Sequence, residues 1–191
     1  MVDFPYLAEG PRVGLRPFRL ADGAEFTARV RESRRLHHPW LCPPATVEEY
    51  EPYAAPLIEG AAKAKAGFLV CERETGAIAG FVNINNIVRG AFQCGALGYG
   101  AFAHAAGRGL LGEALDLVLG RAFAADGLGL HRLEANIQPG NTASIALVRG
   151  RGFRLEGLSA DFLHVDGAWR DHERWAITAE MPRPRAPHRT G

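Results

Sequence analysis

The spacing of apolar residues changes along this chain of 191 residues, and the change predicts alternating strands and helices. Between residues 110 and 125, Leu111, Leu115, Val118 and Ala122 recur at intervals of four, three and four, as in a helix with one buried face. Shorter apolar or alternating runs, bounded by turn-forming residues, predict strands. We therefore predict helices over 22–35, 46–58, 110–125 and 141–149, and strands over 13–18, 67–71, 77–88, 94–103, 132–136, 153–163 and 169–177.

Some of these elements carry signals for their boundaries. Thr46 and Glu49 form a capping-box pattern, in which the hydroxyl accepts an N–H of the first turn and the carboxylate accepts the N–H of the cap. Asp22 is expected to cap the first helix. Pro17 has no N–H to donate, which predicts that the first strand lies at an edge of the sheet.

Composition places the chain among soluble globular proteins. Its 47% hydrophobic and 23% charged residues are ordinary for that class. We predict one domain over 1–180 and a loosely held tail, rich in proline and arginine, over 181–191. A formal charge of +1 provides no broad basic surface, so no nucleic-acid partner is expected. Because the sequence shows neither a basic leader nor a long apolar run, we expect no membrane association and a cytoplasmic location.

Neither the cysteines nor the adjacent histidines have the spacing of a metal site. Cys42, Cys71 and Cys94 are widely separated, which is typical of reduced thiols. His37 and His38 are neighbours, whereas two ligands on one helical face would be four residues apart. We therefore expect no metal.

A glycine-rich stretch just before residues 110–125 is the strongest chemical signal. Gly107, Gly109 and Gly112 let the backbone turn tightly and let a ligand approach the main chain. The free N–H groups and the dipole at a helix start attract phosphate. The same spacing is a dinucleotide-binding fingerprint, but that fold needs an acidic residue at the end of the next strand, which here ends near Asn136. A nicotinamide or flavin site is therefore disfavoured.

The order of motifs resembles a known family of acyltransferases. Gly107-Arg108-Gly109 is similar to the Gln/Arg-x-x-Gly-x-Gly/Ala loop of the GNAT acetyltransferases, with His104 where that family has Gln or Arg. The later runs Asn-Thr-Ala-Ser at 141–144 and Asp-Gly-Ala-Trp-Arg-Asp-His at 166–172 resemble the RimJ/RimL branch, the ribosomal-protein N-terminal alanine acetyltransferases. The resemblance covers residues 13–178. It implies an α/β GNAT fold, a mixed and strongly twisted sheet flanked by helices on both faces.

The resemblance also implies acetyl-CoA as co-substrate and assigns residues to it. The backbone over 106–110 would hold the pyrophosphate, and the strand before it would offer unpaired N–H groups to the pantetheine arm or the oxyanion. Asn141 would bind the arm, and Ser144 would protonate the departing thiolate. A helix cap alone would also explain Asn141 and Ser144, and we expect the pair both to cap the helix and to contact the coenzyme. The full set expected at the coenzyme is Phe102, Ala103, His104, Ala106, Gly107, Arg108, Gly109, Leu110, Gly112, Asn136, Asn141 and Ser144.

Five residues are expected at the acceptor amine. Tyr99 and His164 follow from the resemblance, and Trp40 fits either an acceptor pocket or the core. Asn83 and Asn85 share one face of their strand by the two-residue period, although a solvent-facing position explains them equally well.

The general base is the least defined group. Many GNAT enzymes carry Glu at the position that Ala96 occupies here. An α-amine, with a pKa of about 8, is roughly one-tenth neutral at pH 7, whereas a lysine amine, with a pKa of about 10.4, is almost fully charged. A weak base is therefore sufficient for an α-amine. Of Glu156, Asp161 and His164, we favour Asp161.

The predicted function is transfer of the acetyl group of acetyl-CoA to a protein N-terminal α-amine, by direct attack in a ternary complex. Two alternatives stay open. One is a small-molecule acceptor, such as an antibiotic or a peptide toxin. The other is a catalytically silent acetyl-CoA sensor, which Ala96 and His104 favour and Asn141 and Ser144 oppose. The sequence leaves the choice between a monomer and a homodimer open.

Overall fold

The computed structural model describes residues 6–59 and 64–182, which form a mixed α/β fold around one sheet. Its strands are β1 (Ala8–Glu9), β2 (Val13–Arg16), β3 (Ala66–Glu72), β4 (Ile78–Val88), β5 (Cys94–Ala101), β6 (Arg132–Ile137), β7 (Arg154–Val165) and β8 (Ala168–Thr178). They are ordered β1-β2-β3-β4-β5-β6-β8-β7, and only the pair β5–β6 is parallel. The predicted strands are confirmed to within a few residues, and β1 is an addition. Most of the predicted tail, 183–191, lies outside the described residues.

Helices cover both faces of the sheet, as predicted. They are α1 (Gly23–Glu32), α2 (Arg34–His37), α3 (Val47–Ile58), α4 (Leu110–Phe123) and α5 (Thr142–Arg149), with a 3₁₀ turn at Leu20–Asp22. One apolar cluster joins α4 and α5 to one face, and a second, rich in aromatic rings, joins α1 and α3 to the other. Residues of β3 alternate between the clusters, with Val70 in the first and Leu69 in the second, as the two-residue period requires.

The capping box at the start of α3 is confirmed. The Glu49 N–H donates to Thr46 Oγ1 at 3.3 Å, and the Thr46 N–H donates to the Glu49 carboxylate at 3.3 Å. Pro52 and Pro56 both lie inside the helix. The prediction succeeded because both partners lie within one helical turn of each other.

Two predictions near the N-terminus were wrong. Strand β2 is not at the edge, because β1 pairs with it through Ala8 and Leu15, and Pro17 lies beyond its last residue. Asp22 does not cap α1, because its carboxylate accepts two hydrogen bonds from the Arg16 guanidinium, both at 2.8 Å. The Arg16 side chain is only 5% exposed. A buried guanidinium needs a charged partner, and this need outweighs helix capping.

The junction of α1 and α2 holds the end of β5. Ser33 Oγ accepts the N–H of Ala103 at 2.8 Å, and the buried His37 donates from Nε2 to the Ala101 carbonyl at 2.8 Å. His37 therefore belongs to a helix and to the core. These two bonds set the direction in which the chain leaves the sheet towards the glycine loop.

Burial of His37 predicts a pH-dependent contribution to stability. Desolvation lowers the pKa of His37, although the bond to the Ala101 carbonyl opposes part of the effect. The unfolded chain therefore binds a proton here at a higher pH than the folded chain, and stability is lost as pH falls below about 6.5. His37→Gln, which retains a donor for Ala101, removes this contribution. The difference in unfolding free energy between the wild type and His37→Gln, measured in urea, should shrink between pH 7 and pH 5.

His164→Gln, at an exposed position on β7, is the matched control for that measurement. A difference between wild type and His37→Gln that stays constant across this pH range would contradict the prediction.

Candidate active site

The parallel strands β5 and β6 separate partway along their length. Their last paired residues are Leu97 and Ala135, although β5 continues to Ala101 and β6 to Ile137. Backbone groups beyond the last pair have no partner across the gap and can bind a ligand. A cavity of about 120 Å³ opens there. Its walls are Trp40, Leu41, Leu97, Gly98, Tyr99, Ala135, Asn136, Ile137, Gln138, Asn141, Ser144 and His172.

The glycine loop forms an open cradle at the start of α4. Gly107 and Gly109 have φ angles of 74° and 76°, which residues with a Cβ rarely adopt. The N–H groups of residues 107–112 donate to no acceptor in the part of the chain that the structure describes. Nothing lies within 4 Å of the place that a Cβ on Gly107 would occupy. The loop therefore presents free donors to solvent in the geometry that binds phosphate.

Three of the residues predicted to contact the coenzyme instead build the loop. Phe102 is fully buried among aromatic rings, and its carbonyl accepts the N–H groups of Ala105 and Ala106 at 2.9 and 3.0 Å. The N–H of Ala103 is bound by Ser33. The donors of Ala103 and Ala106 are thus satisfied within the protein, so the assignment of these residues and of the Phe102 side chain to the coenzyme is not supported by the geometry.

The polar side chains of the loop interact with β3. Arg108 makes two hydrogen bonds to the Glu72 carboxylate, at 2.8 and 2.9 Å, and these bonds hold the pKa of Glu72 below its usual range. His104 Nε2 lies 3.7 Å from Glu72, and desolvation together with Arg29 lowers the pKa of His104. Arg108 therefore does not offer a free charge, and its backbone is the part available to a ligand.

Arg12 is a structural support for the loop that the sequence did not indicate. Its Nη1 donates to the Arg108 carbonyl at 2.8 Å, and its Nε pairs with Glu113 in the first turn of α4 at 2.9 Å. Almost a hundred residues separate Arg12 from this loop, so only the packing of β2 beside α4 brings them together.

Ser144, Asn141 and Tyr99 all line the cavity. Asn141 caps α5 by accepting the Ser144 N–H at 3.1 Å and also lines the cavity, so capping and ligand contact are compatible. The hydroxyl groups of Tyr99 and Ser144 lie 2.5 Å apart. Burial raises the pKa of Tyr99 to about 12, and the bond with Ser144 opposes part of that rise. The pair is therefore a protonated donor chain at neutral pH.

The predicted acceptor residues are only partly brought together. Trp40 lines the cavity. Asn136, which was predicted at the coenzyme, lines it too, and its Oδ1 is buried without a hydrogen-bond donor among the described residues. Asn83 lies outside the cavity walls, where its amide donates to Tyr53 at 2.6 Å. Asn85 is also absent from the walls, although its amide approaches Gly98. Asn83 is only 5% exposed, so a solvent-facing position does not explain it, and its hydrogen bond to Tyr53 indicates a structural role.

None of the three predicted bases lines the cavity. Glu156 is paired with Arg132, which lowers the pKa of Glu156. Asp161 is exposed at a bulge of β7, with φ 46°, and His164 is exposed on the same strand. Because both are exposed and neither is among the cavity walls, the choice of Asp161 or His164 for the site is not supported.

His172 on β8 does line the cavity, and the sequence did not single it out as a functional residue. The motif at 166–172 can be seen in the sequence. The pairing of β8 with β6, which brings His172 to the gap, cannot be seen there.

The described residues show neither a metal-binding cluster nor a membrane-spanning helix. Within residues 6–59 and 64–182, no three His, Cys, Asp or Glu side chains are grouped closely enough to hold a metal ion. The helices of these residues include none that is both long and apolar enough to span a membrane.

Comparison with known families decides what kind of domain this is. Residues 12–154, well over half of the chain, match the family described as Acetyltransferase (GNAT) domain. The chain belongs to the GNAT acetyltransferase family. The resemblance drawn from the glycine loop is therefore confirmed.

The GNAT domain is similar to several proteins whose activities are named. It is 39% identical over 101 residues to the [ribosomal protein uS5]-alanine N-acetyltransferase of Escherichia coli (strain K12), which is 53% of this chain and 51% of that protein. The chain thus spans about half the length of the curated relatives it matches. The structure of Mycobacterium smegmatis RimJ in complex with CoA-disulfide superposes with a TM-score of 0.81 at 33% identity, covering 90% of this chain and 87% of that one. The ribosomal-protein-S5-alanine acetyltransferase of Vibrio fischeri gives a TM-score of 0.80 at 25% identity, covering 91% and 96%.

The cradle of this GNAT domain fits the pyrophosphate of coenzyme A. Residues 107–112 offer several N–H donors at a helix N-terminus, where the macrodipole adds about half a positive charge. The absence of a Cβ at Gly107 and Gly109 lets phosphate oxygens approach the main chain. The orphaned Oδ1 of Asn136 can accept an amide N–H, as the pantetheine arm would supply.

Substitution by alanine should have opposite effects on stability at Gly109 in the loop and at Gly120 in the helix. Gly109→Ala should lower the free energy of unfolding by about 1–2 kcal/mol, because the left-handed backbone at φ 76° is strained by a Cβ. It should also weaken coenzyme A binding, measured by calorimetry. Gly120→Ala, inside α4 with nothing within 4 Å, is the matched control and should raise stability by about 1 kcal/mol without affecting binding. Unchanged stability and binding in Gly109→Ala would contradict the prediction.

Proposed function

We propose that this GNAT domain transfers the acetyl group of acetyl-CoA to the N-terminal α-amine of a protein, and that this acceptor is the N-terminal alanine of a ribosomal protein. The observation that carries the proposal is the cavity between β5 and β6, which has the Tyr99–Ser144 donor pair in its wall. The same cavity lies next to the helix that Asn141 caps. The proposed acceptor places the reaction in the cytoplasm.

The relatives support both substrates of this proposal. The Escherichia coli and Vibrio fischeri proteins are named for acetylation of an alanine of a ribosomal protein, and the Mycobacterium smegmatis structure contains a coenzyme A disulfide. The free donors of residues 107–112 supply the corresponding coenzyme site here.

The cavity walls favour an α-amine over a lysine side chain. None of the residues that form the walls is Asp, Glu, Lys or Arg. Such a site has no carboxylate to strip a proton from a strongly basic amine, and an uncharged surrounding favours the neutral form of any amine that enters. An α-amine, with its pKa of about 8, reaches that form easily at neutral pH, whereas lysine does not.

The chemistry that follows is a direct attack in a ternary complex. The amine nitrogen forms a bond to the thioester carbonyl carbon, and unpaired backbone N–H groups at the gap stabilise the developing oxyanion. The C–S bond then breaks, and Ser144 Oγ gives its proton to the thiolate. Tyr99, at 2.5 Å, replaces that proton. Because the pKa of Tyr99 is raised to about 12, this hydroxyl is protonated before each turnover.

Substitution of the donor pair predicts graded losses. Ser144→Ala should lower kcat by about 10²-fold, because it removes the proton donor itself. Tyr99→Phe should lower kcat by about 10-fold, because it removes one hydrogen bond that orients and resupplies Ser144. The dissociation constant of acetyl-CoA should change little in Tyr99→Phe. Steady-state thiol release measures the rates, and equal kcat in the wild type and Ser144→Ala would exclude Ser144 as the acid.

The function itself is tested by thiol release from acetyl-CoA with a panel of acceptors. The panel contains peptides that begin with Ala or Ser, the same peptides with a blocked N-terminus and an internal lysine, and aminoglycosides. We expect turnover with free Ala or Ser N-termini and none with blocked peptides. Turnover with aminoglycosides alone would assign a small-molecule acceptor. Tight acetyl-CoA binding with no turnover on any acceptor would assign a sensor.

A further inference from the structure

We propose that His172 is the general base that takes the proton from the attacking amine. The inference rests on the proposed acetyl transfer and adds the group that the sequence left undefined. The His172 side chain is 3% exposed on β8 and lines the cavity together with Tyr99 and Ser144. Among the residues that form the cavity walls, His172 and Tyr99 have ionisable side chains.

The hydrogen bond of the imidazole fixes its tautomer. His172 Nδ1 lies 2.8 Å from the carbonyl oxygen of Arg170. A carbonyl oxygen can only accept, so Nδ1 carries the proton and the neutral ring presents a lone pair at Nε2. Nε2 makes no hydrogen bond to any residue of the described ranges. The ring is thus oriented by its own strand and has one basic nitrogen left for a ligand in the cavity.

The strand period places this base and the proposed acid on opposite sides of the gap. On β8, Trp175 and Ile177 pack into the cluster that includes α4 and α5, and Tyr99 packs against the same cluster. His172 is an odd number of residues from Trp175, so its side chain points to the other face. Trp40 and Leu41 form the cavity wall that comes from the α2 end.

This arrangement accounts for both proton transfers without a shared group. The acceptor amine approaches on the side of Trp40, and its nitrogen forms the C–N bond while His172 Nε2 takes one proton from it. On the other face Ser144 gives a proton to the sulfur as the C–S bond breaks. One proton leaves the nitrogen and one reaches the sulfur. After the product departs, His172 returns its proton to solvent and Tyr99 takes one from solvent.

Several charged groups near His172 have partners, including Glu173, whose carboxylate accepts the Trp175 indole N–H at 2.8 Å. On its own strand Arg174 donates to Glu134 of β6 at 2.9 Å, and Asp171 accepts the N–H of Asp161 from β7 at 2.9 Å. Beyond Trp40, His38 is paired with Asp166 of the hairpin at 3.1 Å. Tyr99 faces the cavity from β5. His38 is an imidazole two residues before Trp40, and it therefore needs its own control.

The decisive variant is His172→Asn. Its side-chain amide can still donate to the Arg170 carbonyl, as Nδ1 does, but it lacks the basic nitrogen. With an Ala-starting peptide at pH 7, kcat/KM should fall by about 10²-fold, while the dissociation constant of acetyl-CoA stays within about 3-fold. The deficit should shrink at alkaline pH, because hydroxide can then take the proton that the attacking nitrogen loses as the C–N bond forms.

The controls separate a catalytic from a structural role. His38→Asn should retain the wild-type kcat/KM across the pH range, so that the deficit belongs to His172→Asn alone. A deficit that is equal at every pH, or a kcat/KM within about 3-fold of the wild type, would overturn the assignment. If the wild type itself shows no turnover on any amine, the proposed function fails instead, and the two failures are thereby distinguished.

A measurement on the unaltered protein tests the same proposal if His172→Asn does not fold. Long-range ¹H–¹⁵N correlation spectra distinguish the two imidazole tautomers. We expect His172 to be protonated on Nδ1 in its neutral form and its Nε2 to shift when a non-reactive amine analogue of the acceptor binds. A neutral ring protonated on Nε2 would overturn the proposal, because that nitrogen could not accept a proton.

Discussion

The separation of β5 from β6 is the constraint on which the rest of the site depends. Two parallel strands that pair only as far as Leu97 and Ala135 leave backbone groups that nothing else in the sheet can satisfy. A gap of this kind is stable only if its neighbours hold the strands apart, and here β4 and β8 pair with their outer edges. The cavity follows from that gap, and so does the position of the proposed acid beside it.

The cradle for phosphate is kept open by bonds that satisfy the residues around it. Ser33 takes the N–H of Ala103, the Phe102 carbonyl takes two further N–H groups, and Arg12 takes the Arg108 carbonyl. With these groups paired, the N–H groups of residues 107–112 remain as a run of free donors among the described residues. Because the donors are oriented before a ligand arrives, binding does not have to order the loop, which lowers its entropic cost.

The two faces of the sheet give the site its division of chemical roles. Tyr99 and Ser144 lie with α5 on the face that also carries the glycine-loop helix. The opposite face is covered by the segment that contains Trp40, and it is the face to which His172 points. In the proposed mechanism, the opening between two strands lets the two substrates meet from opposite sides, with a separate residue for each proton transfer.

The sequence by itself determined the elements whose causes are local. The capping box of Thr46, the cap by Asn141 and the glycine loop were predictable because their partners lie within about one turn of helix. Tertiary structure decided the rest, because it depends on which strands become neighbours. Asp22 pairs with the buried Arg16, although the sequence predicts that it caps a helix. The bulge in β7 left Asp161 exposed, and the pairing of β8 with β6 brought His172 to the cavity. No spacing along the chain encodes either arrangement.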